Sequence, residues 1–211
     1  MEKGICNVSI APIRAENADQ SEMVTQMLYG ESADILEIKD NFTKVKLHYD
    51  QYEGWMDTKQ LTLVNDEFLA TRKTTLIKDA FVKATIGNGT ALLSLGSEIQ
   101  LQNHTEPSDT INREDLINSA LQYLNVPYLW GGKSYFGIDC SGFTQMIYKI
   151  HNIKIPRDAS QQAILGEPLT FLEEAQAGDL AFFENQEGKI THVGIILDDQ
   201  KIIHAHGKVR I

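Results

Sequence analysis

Apolar and polar residues alternate in short runs through roughly the first sixty residues of the chain. The runs 35–39 (ILEIK) and 42–48 (FTKVKLH) both alternate, and Asp40-Asn41 between them is a typical tight-turn pair. An alternating run predicts a strand with one face buried and the other in water. Several such strands, separated by turns, predict a small antiparallel β-barrel over residues 1–66.

The β-rich pattern continues over residues 67–106, where it supports two interpretations. Runs at 74–78, 80–86, 91–95 and 97–102 have strand character and flank a turn at residues 87–90. They either brace the first barrel as an extension or form a degenerate second barrel-like unit. The polar segment Asn103–Asn112 predicts a linker, and residues 107–211 predict a further domain.

Helix periodicity replaces strand periodicity in this last domain. Asn112 or Thr110 is placed to cap a first helix, with Glu114 and Asp115 in its first turn, where the helix dipole favours negative charge. The apolar face of that helix consists of Leu116, Ala120, Tyr123 and Leu124.

A second helix is predicted to begin at or just after Cys140. Its apolar residues recur at i, i+3, i+4 and i+7, which is one helical stripe: Phe143, Met146, Ile147 and Ile150. A short polar turn or helix starts at residues 156–160. The apolar runs after residue 178 predict a strand and then a hairpin with its tip at Asp198–Lys201. Helices followed by antiparallel strands predict an α+β fold.

Composition and charge exclude several classes of protein. The 211 residues carry a formal net charge of −10 without a basic stripe, so a nucleic-acid partner is not expected. No apolar run has the length of a membrane span and no secretory signal is recognisable, which leads us to expect a cytoplasmic protein without a membrane partner. The oligomeric state is not predicted. Two cysteines are too few for a disulfide framework, and Cys6 is expected to be a buried apolar residue.

Cys140 lies where a nucleophile would be placed. Asp139 or Ser141 can cap the helix that begins there, and the unpaired N–H groups of a helix start favour a negative charge. A cysteine in such a position, especially near a histidine, can have its pKa lowered from about 8.5 to roughly 3.5–7.5. We therefore expect a lowered thiol pKa.

Two histidines in the C-terminal hairpin supply the other groups that thiol catalysis needs. His192 is the candidate base, and His204 is the candidate group that fixes its tautomer. With a two-residue tip at Asp199-Gln200, Gly207 would oppose His192 and His204 would face the other way. The hypothesis therefore requires an odd-length tip or a bulge.

Simpler interpretations of these residues stay open. A cysteine at a helix start is most often inert packing, and a strand histidine is usually a satisfied polar group. Zinc binding by Cys140, His192, His204 and His206 is disfavoured, because neither CxxC nor HxxxH spacing occurs. Spacing alone leaves the nucleophile hypothesis undecided.

An ordered set of motifs resembles the NlpC/p60 family of cell-wall cysteine peptidases. They are PYLWGG at 127–132, GIDCSGF at 137–143, PRD at 156–158, GDL at 178–180, HVGI at 192–195 and IHA at 203–205. The resemblance implies a papain-like α+β core, a catalytic triad of Cys140, His192 and His204, and no cofactor or metal.

The barrel carries a second resemblance. Tyr52-Glu53-Gly54-Trp55-Met56 is similar to a signature of bacterial SH3-like domains. By itself it favours Trp55 as core and Tyr52 as a rim aromatic. Together, the two resemblances are typical of γ-D-glutamyl-L-diamino-acid endopeptidases, which cut murein tri- or tetrapeptides that have a free N-terminal L-alanine.

That narrower resemblance implies roles for individual residues in substrate binding. Tyr52 would close the site, and Asp139 and Ser160 would bind the substrate amine. Further candidates for substrate binding from the same motifs are Ser141, Arg157 and Asp158.

Two departures from the family pattern accompany the resemblance. His206 stands where relatives commonly have serine, so it competes with His204 as the orienting group or merely fills the strand edge. The chain also stops at Ile211, soon after that motif. Two other functions stay open, namely a catalytically silent module that binds wall peptides, and an amidase or acyltransferase that uses the same Cys-His pair.

Overall fold

The computed structural model describes residues 2–100, 112–197 and 201–211. Its N-terminal strands pair antiparallel in the order β3-β2-β6-β5-β4-β1-β7. The strands are β1 (Lys3–Cys6), β2 (Ile10–Arg14), β3 (Met23–Leu28), β4 (Ser32–Lys39), β5 (Phe42–Leu47), β6 (Glu53–Asp57) and β7 (Leu61–Val64).

The alternating pattern of the first region is confirmed by this sheet. Lys39 pairs with Phe42, so Asp40-Asn41 makes the predicted two-residue turn, and Asp40 takes a positive φ of 55°. Inward-facing side chains form a core in which Cys6 is fully buried, as expected. Burial raises the pKa of the Cys6 thiol to about 12, so this cysteine is inert packing.

The strands of residues 67–106 pair in two ladders of their own. They are β8 (Thr74–Leu76), β9 (Phe81–Ile86), β10 (Gly89–Ser94) and β11 (Glu98–Gln100), with β9 against β10 and β8 against β11. A short helix, α1 (Asp66–Thr71), precedes them and was not expected. Its first residue nevertheless follows a typical N-cap residue, Asn65, whose side chain accepts the N–H of Phe68 at 2.8 Å.

This second region packs against its neighbours on both sides. Leu95 belongs to the core of the C-terminal domain, and the N–H of Glu98 donates to the carbonyl of Tyr29 in the barrel at 2.8 Å. Assignment of 67–106 as a unit of its own, and the other domain boundaries, stay predictions. The predicted linker at 103–112 falls almost wholly outside the described residues.

Helices and a four-strand sheet among the described residues make up the C-terminal domain. The helices are α2 (Arg113–Leu121), α3 (Cys140–Ile150) and α4 (Ala159–Leu165); β12 (Lys133–Ser134) pairs with β13 (Gly137–Ile138) just before α3. The sheet contains β14 (Leu180–Glu184), β15 (Ile190–Ile196), β16 (Ile202–His206) and β17 (Lys208–Arg210), in that order. The α+β prediction is confirmed.

The predicted helix stripe forms the centre of this domain. The α3 residues at i, i+3, i+4 and i+7 from Phe143 are all buried, and they pack with Ile195, Ile203 and Ala205 of the sheet. Asn112 caps α2 by accepting the N–H of Glu114 at 3.0 Å. Leu124 was wrongly placed on the apolar face of the first helix, because it lies beyond the end of α2 and is exposed.

The final segment is two strands, whereas the sequence suggested one. Gly207 takes a φ of +71°, which lets the chain reverse so that His206 pairs with Lys208. Strand β17 is then held by reciprocal backbone hydrogen bonds between Val209 and the residues after α2, at 2.8 and 2.9 Å. The sheet therefore gains an edge strand that the sequence reading had joined to β16.

A buried cluster of charges joins the barrel to the C-terminal domain. Glu31 of the barrel accepts hydrogen bonds from Lys133 at 3.1 Å and Lys149 at 2.6 Å, and all three side chains are almost fully buried. Burial raises the pKa of Glu31, but the two lysines outweigh it and lower that pKa to about 2. The barrel is thus fastened next to the loop that leads into α3.

Candidate active site

The start of α3 places Cys140 at the edge of a cleft. Asp139 is the N-cap, and its Oδ1 accepts the N–H of Gly142 at 2.7 Å. A Cβ on Gly142 would lie 2.3 Å from the carbonyl oxygen of Gly132, so glycine is required for this close approach. Cys140 is the first residue of the helix, and its side chain is largely but not completely buried.

Asp139 is held by partners on all sides. Arg157 donates to both carboxylate oxygens, at 3.0 and 2.6 Å, and the N–H of Gly131 donates to Oδ2 at 2.9 Å. Arg157 also donates to Ser141 Oγ at 2.9 Å and reaches the barrel, where it donates to Thr25 Oγ1 at 2.9 Å. Binding of substrate by Asp139, Ser141 or Arg157 stays a prediction. These three side chains already form hydrogen bonds with one another.

The two catalytic histidine candidates are brought together by the register of the hairpin. Ile195 pairs with Ile203 and Ile196 with Ile202, so an odd number of residues separates the paired positions. His204 therefore lies on the same face as His192, and His192 Nε2 is 2.7 Å from His204 Nδ1. The odd register that the hypothesis required is confirmed; the tip residues 198–200 themselves are outside the described residues.

Cys140 lies beside the strand that carries His192. Its side chain packs with Val193 and Ala159, and the backbone N–H of Val193 is close enough to lower the pKa of the thiol. Within the described part of the chain, Nδ1 of His192 has no hydrogen bond, because Nε2 is the nitrogen that meets His204. Nδ1 is therefore the ring nitrogen of His192 that His204 does not engage.

The charge state of these groups differs from the sequence expectation. Burial and the neighbouring Asp139 raise the pKa of Cys140, and they outweigh the N–H groups of Val193 and Ser141 and the charge of Arg157, which lower it. The prediction of a lowered thiol pKa was wrong, since the cap that starts the helix also places a carboxylate next to the sulfur.

The histidines shift in a matching way. Burial lowers the pKa of His192, and His204 and His206 lower it further. Burial also lowers the pKa of His204, as do His206 and Arg210. Both sets of shifts therefore favour the uncharged forms, the thiol of Cys140 and the neutral imidazole of His192.

The cleft beside Cys140 is built from both domains. It has a volume of about 490 Å³. The barrel contributes Glu22, Val24 and Tyr52. The C-terminal domain contributes Tyr128, Trp130, Asp139, Cys140, Ser141, Arg157, Asp158, Ala159, Ser160, Ile190 and Thr191. Every substrate-binding candidate from the sequence lies on this cleft. Glu22 was missed, because nothing in the sequence near it signals that β3 borders a site 118 residues away.

Asp158 differs from Asp139 in that its carboxylate can still accept hydrogen bonds from a ligand. It is the N-cap of α4, but its side chain makes no capping hydrogen bond. It is half-buried; burial raises its pKa, against the opposing effects of Arg157 and of the Tyr52 hydroxyl beside it. Burial and the charge of Asp158 likewise raise the pKa of Tyr52. Ser160, two residues after Asp158, is exposed and lines the cleft.

Over residues 2–100, 112–197 and 201–211, no group of three His, Cys, Asp or Glu side chains has the arrangement of a metal site. In the same part of the chain, no helix is long and apolar enough to cross a bilayer.

A largely buried cysteine at a helix start and a hydrogen-bonded pair of histidines on the antiparallel sheet packed against that helix are the groups that a papain-like thiol hydrolase uses. A model of the NlpC/P60 family matches residues 125–211, and a model of the bacterial dipeptidyl-peptidase Sh3 domain matches residues 13–61. The chain belongs to the NlpC/P60 family of cysteine peptidases.

Relatives and solved structures agree with that assignment. A γ-D-glutamyl-L-lysine dipeptidyl-peptidase of Bacillus cereus is 33% identical over 90% of this chain and 68% of its own length. The protein of the same name from Bacillus subtilis is 47% identical, but the match covers 44% of this chain and only 31% of that protein. A crystal structure of an NlpC/P60 family protein from Bacillus cereus superposes with a TM-score of 0.86 at 25% identity, covering 99% of this chain and 93% of the other.

Proposed function

We propose that the protein is an endopeptidase that hydrolyses the γ-D-glutamyl bond to a diamino acid in murein peptides with a free N-terminal L-alanine. Such peptides are fragments released from the cell wall, which suits a role in murein peptide recycling or degradation. The relatives named as γ-D-glutamyl-L-lysine dipeptidyl-peptidases support the bond and the release of a dipeptide.

The observation that carries the proposal is a half-buried carboxylate on the cleft, that of Asp158. Tyr52 of the barrel meets Asp158 there, on the same cleft as Cys140. A half-buried carboxylate that makes no capping hydrogen bond is a suitable partner for an α-ammonium group. An acylated N-terminus would bury Asp158 without a counter-charge.

The reaction follows from the placement of the groups. Nδ1 of His192 takes the proton of the Cys140 thiol as the sulfur attacks the γ-carbonyl carbon, and a tetrahedral oxyanion forms. The N–H of Cys140, at the unpaired start of α3, is positioned to donate to that oxygen. His192 then gives its proton to the leaving amino group, and the C–N bond breaks to leave a thioester. Water, deprotonated by His192, hydrolyses the thioester and restores the thiol.

His204 and the substrate amine each assist this cycle. In this cycle Nδ1 of His204 accepts the Nε2–H of His192, which fixes the tautomer whose bare Nδ1 takes the thiol proton. A substrate ammonium beside Asp158 adds a positive charge close to Asp139 and Cys140. That charge offsets the negative potential that raises the pKa of the thiol, so bound substrate favours its own attack.

The test compares a free and a blocked substrate. L-Ala-γ-D-Glu-diaminopimelate, its L-lysine analogue and the N-acetyl form of each are incubated with the protein, and the released amino group is measured. We expect kcat/KM to fall about a hundredfold on acetylation, because a buried charge loses its partner. Cys140→Ala should abolish turnover, and Cys6→Ala is the matched cysteine control. Equal cleavage of free and acetylated peptides would show that the amine is not recognised.

A further inference from the structure

A third imidazole stands next to the two histidines of the proposed catalytic set. His206 follows His204 by two residues on β16, so both project from the same face of the strand. Its ring stacks on that of His204, with centroids 6.0 Å apart and planes 9° apart. The register of the hairpin, continued from Ile196–Ile202, also sets it across from His192, whose ring it meets edge-on at 6.1 Å.

The ring of His206 has a different environment from the other two. His206 is exposed, whereas His192 and His204 are half-buried. The ring of His206 is therefore in contact with water over more of its surface than the other two rings are. The stacked geometry also restricts how far the His204 ring can rotate about its side-chain bonds, and His204 must keep Nδ1 directed at His192.

The other charged groups around this trio are cationic. On β17, Lys208 pairs with His206 but turns its amine to Asn125, with Nζ 2.6 Å from Oδ1. Arg210 pairs with His204 and lowers the pKa of its ring. On β15 the ring of His192 contacts both other imidazoles, and His204 and His206 both lower its pKa. None of these supplies a negative charge that would neutralise a protonated His206.

We propose that His206 is a positioning residue for the catalytic pair. The ring of His206 holds His204 in line with His192 by stacking. When His206 is protonated, its positive charge disfavours protonation of the neutral His192 ring. The inference rests on the proposed function in that His192 serves as the base. Because His192 must be neutral to take the thiol proton, His206 extends activity toward lower pH.

The direction of the pH effect follows from repulsion. A charge about 6 Å from His192 disfavours protonation of that ring, so removing the charge lets His192 take up its proton at a higher pH. The acid limb of kcat/KM should then move upward. His206→Ser removes ring and charge, His206→Phe keeps a ring that can stack, and His206→Lys keeps a charge without the ring. Lys208→Gln is the matched control, because it removes a neighbouring exposed cation that points away.

Two readouts separate this inference from the proposed function. The first readout is the pH at which His192 is half protonated, followed by NMR of the histidine-labelled protein without substrate. Variants that each replace one histidine assign the signals. The second readout is kcat on the free tripeptide. We expect the titration midpoint of His192 to rise by about half a pH unit in His206→Ser and His206→Phe. It should equal the wild-type value in His206→Lys and Lys208→Gln. The plateau kcat should fall about threefold to tenfold in His206→Ser and His206→Lys but stay in His206→Phe.

Each readout overturns one half of the inference. A His192 midpoint that is the same in His206→Ser and wild type refutes the electrostatic role. A plateau kcat that is the same in both refutes the stacking role. If the midpoint moves but the wild-type protein cleaves neither tripeptide, the coupling of the three rings stands and the proposed function fails.

Discussion

The starts of α3 and α4 present two aspartates in the same formal position with opposite uses of their hydrogen-bonding capacity. Asp139 caps α3 and accepts from Gly142, Gly131 and both terminal nitrogens of Arg157. Asp158 occupies the cap position of α4 and makes no capping bond. The first carboxylate is buried, and the second is half-buried on the cleft.

The difference teaches which of the two is free to recognise a ligand. Hydrogen-bond donors that already surround a carboxylate stabilise it without any substrate, and they would have to be displaced for a new partner. A carboxylate whose pKa is raised by burial is short of donors, and a cation supplied from outside relieves that shortage. We therefore assign scaffolding to Asp139 and recognition of the amine to Asp158.

The largest expected effect comes from breaking the scaffolding side. Asp139→Asn leaves Arg157 buried without its counter-charge, which should cost about 3–5 kcal/mol of unfolding free energy. For a chain of this size that lowers Tm by roughly 10 °C or more. Thermal unfolding by circular dichroism measures it. The double variant Asp139→Asn/Arg157→Met, which removes both charges, should recover part of the loss, and no recovery would contradict the pairing.

A smaller effect on stability but a large one on kinetics is expected at the recognition side. Asp158→Asn should reduce kcat/KM for the free tripeptide about a hundredfold while hardly changing the rate for its N-acetyl form. Because burial raises the pKa of Asp158, its charge opposes folding above that pKa, and the penalty disappears as the pH falls below it. Asp158→Asn should therefore have a Tm at pH 7 no lower than that of the wild type. A fall in Tm like that of Asp139→Asn would erase the distinction.

The smallest effect is expected from the barrel side of the same contact. Tyr52→Phe removes the hydroxyl beside Asp158 but keeps the wall of the cleft, so KM for the free tripeptide should rise about threefold to tenfold with kcat unchanged. Steady-state kinetics at a fixed pH measure the two constants. Tyr49→Phe, at a half-buried tyrosine next to the lysine cluster, serves as the matched control. A change in kcat without a change in KM would place Tyr52 in the chemical step.

The parts of the fold and site that depend on local patterns were predictable from the sequence. The i, i+3, i+4, i+7 stripe gave α3, alternation gave the barrel strands, and the requirement that His192 and His204 share a face gave the register of a hairpin. Each of these follows from residues within one or two elements. The bend at Gly207 was missed because a glycine inside a strand-like run signals a break only when its φ is known.

The remaining features depend on contacts between distant parts of the chain. Arg157 reaches Asp139 and Thr25, and neither partner can be read from the PRD motif. The raised thiol pKa follows from burial together with the bound Asp139, which a helix-dipole rule does not include. Glu22 and Tyr52 border the cleft only because the barrel docks as it does.

The buried cluster at that docking surface limits how this protein can be rebuilt by recombination. A C-terminal half joined to a different barrel would cover Lys133 and Lys149 without Glu31, and two buried ammonium groups without a carboxylate would oppose that contact. Replacement of the barrel by another domain would succeed only if that domain placed a carboxylate at the position of Glu31. The two halves therefore depend on each other at this contact, although each matches a family model of its own.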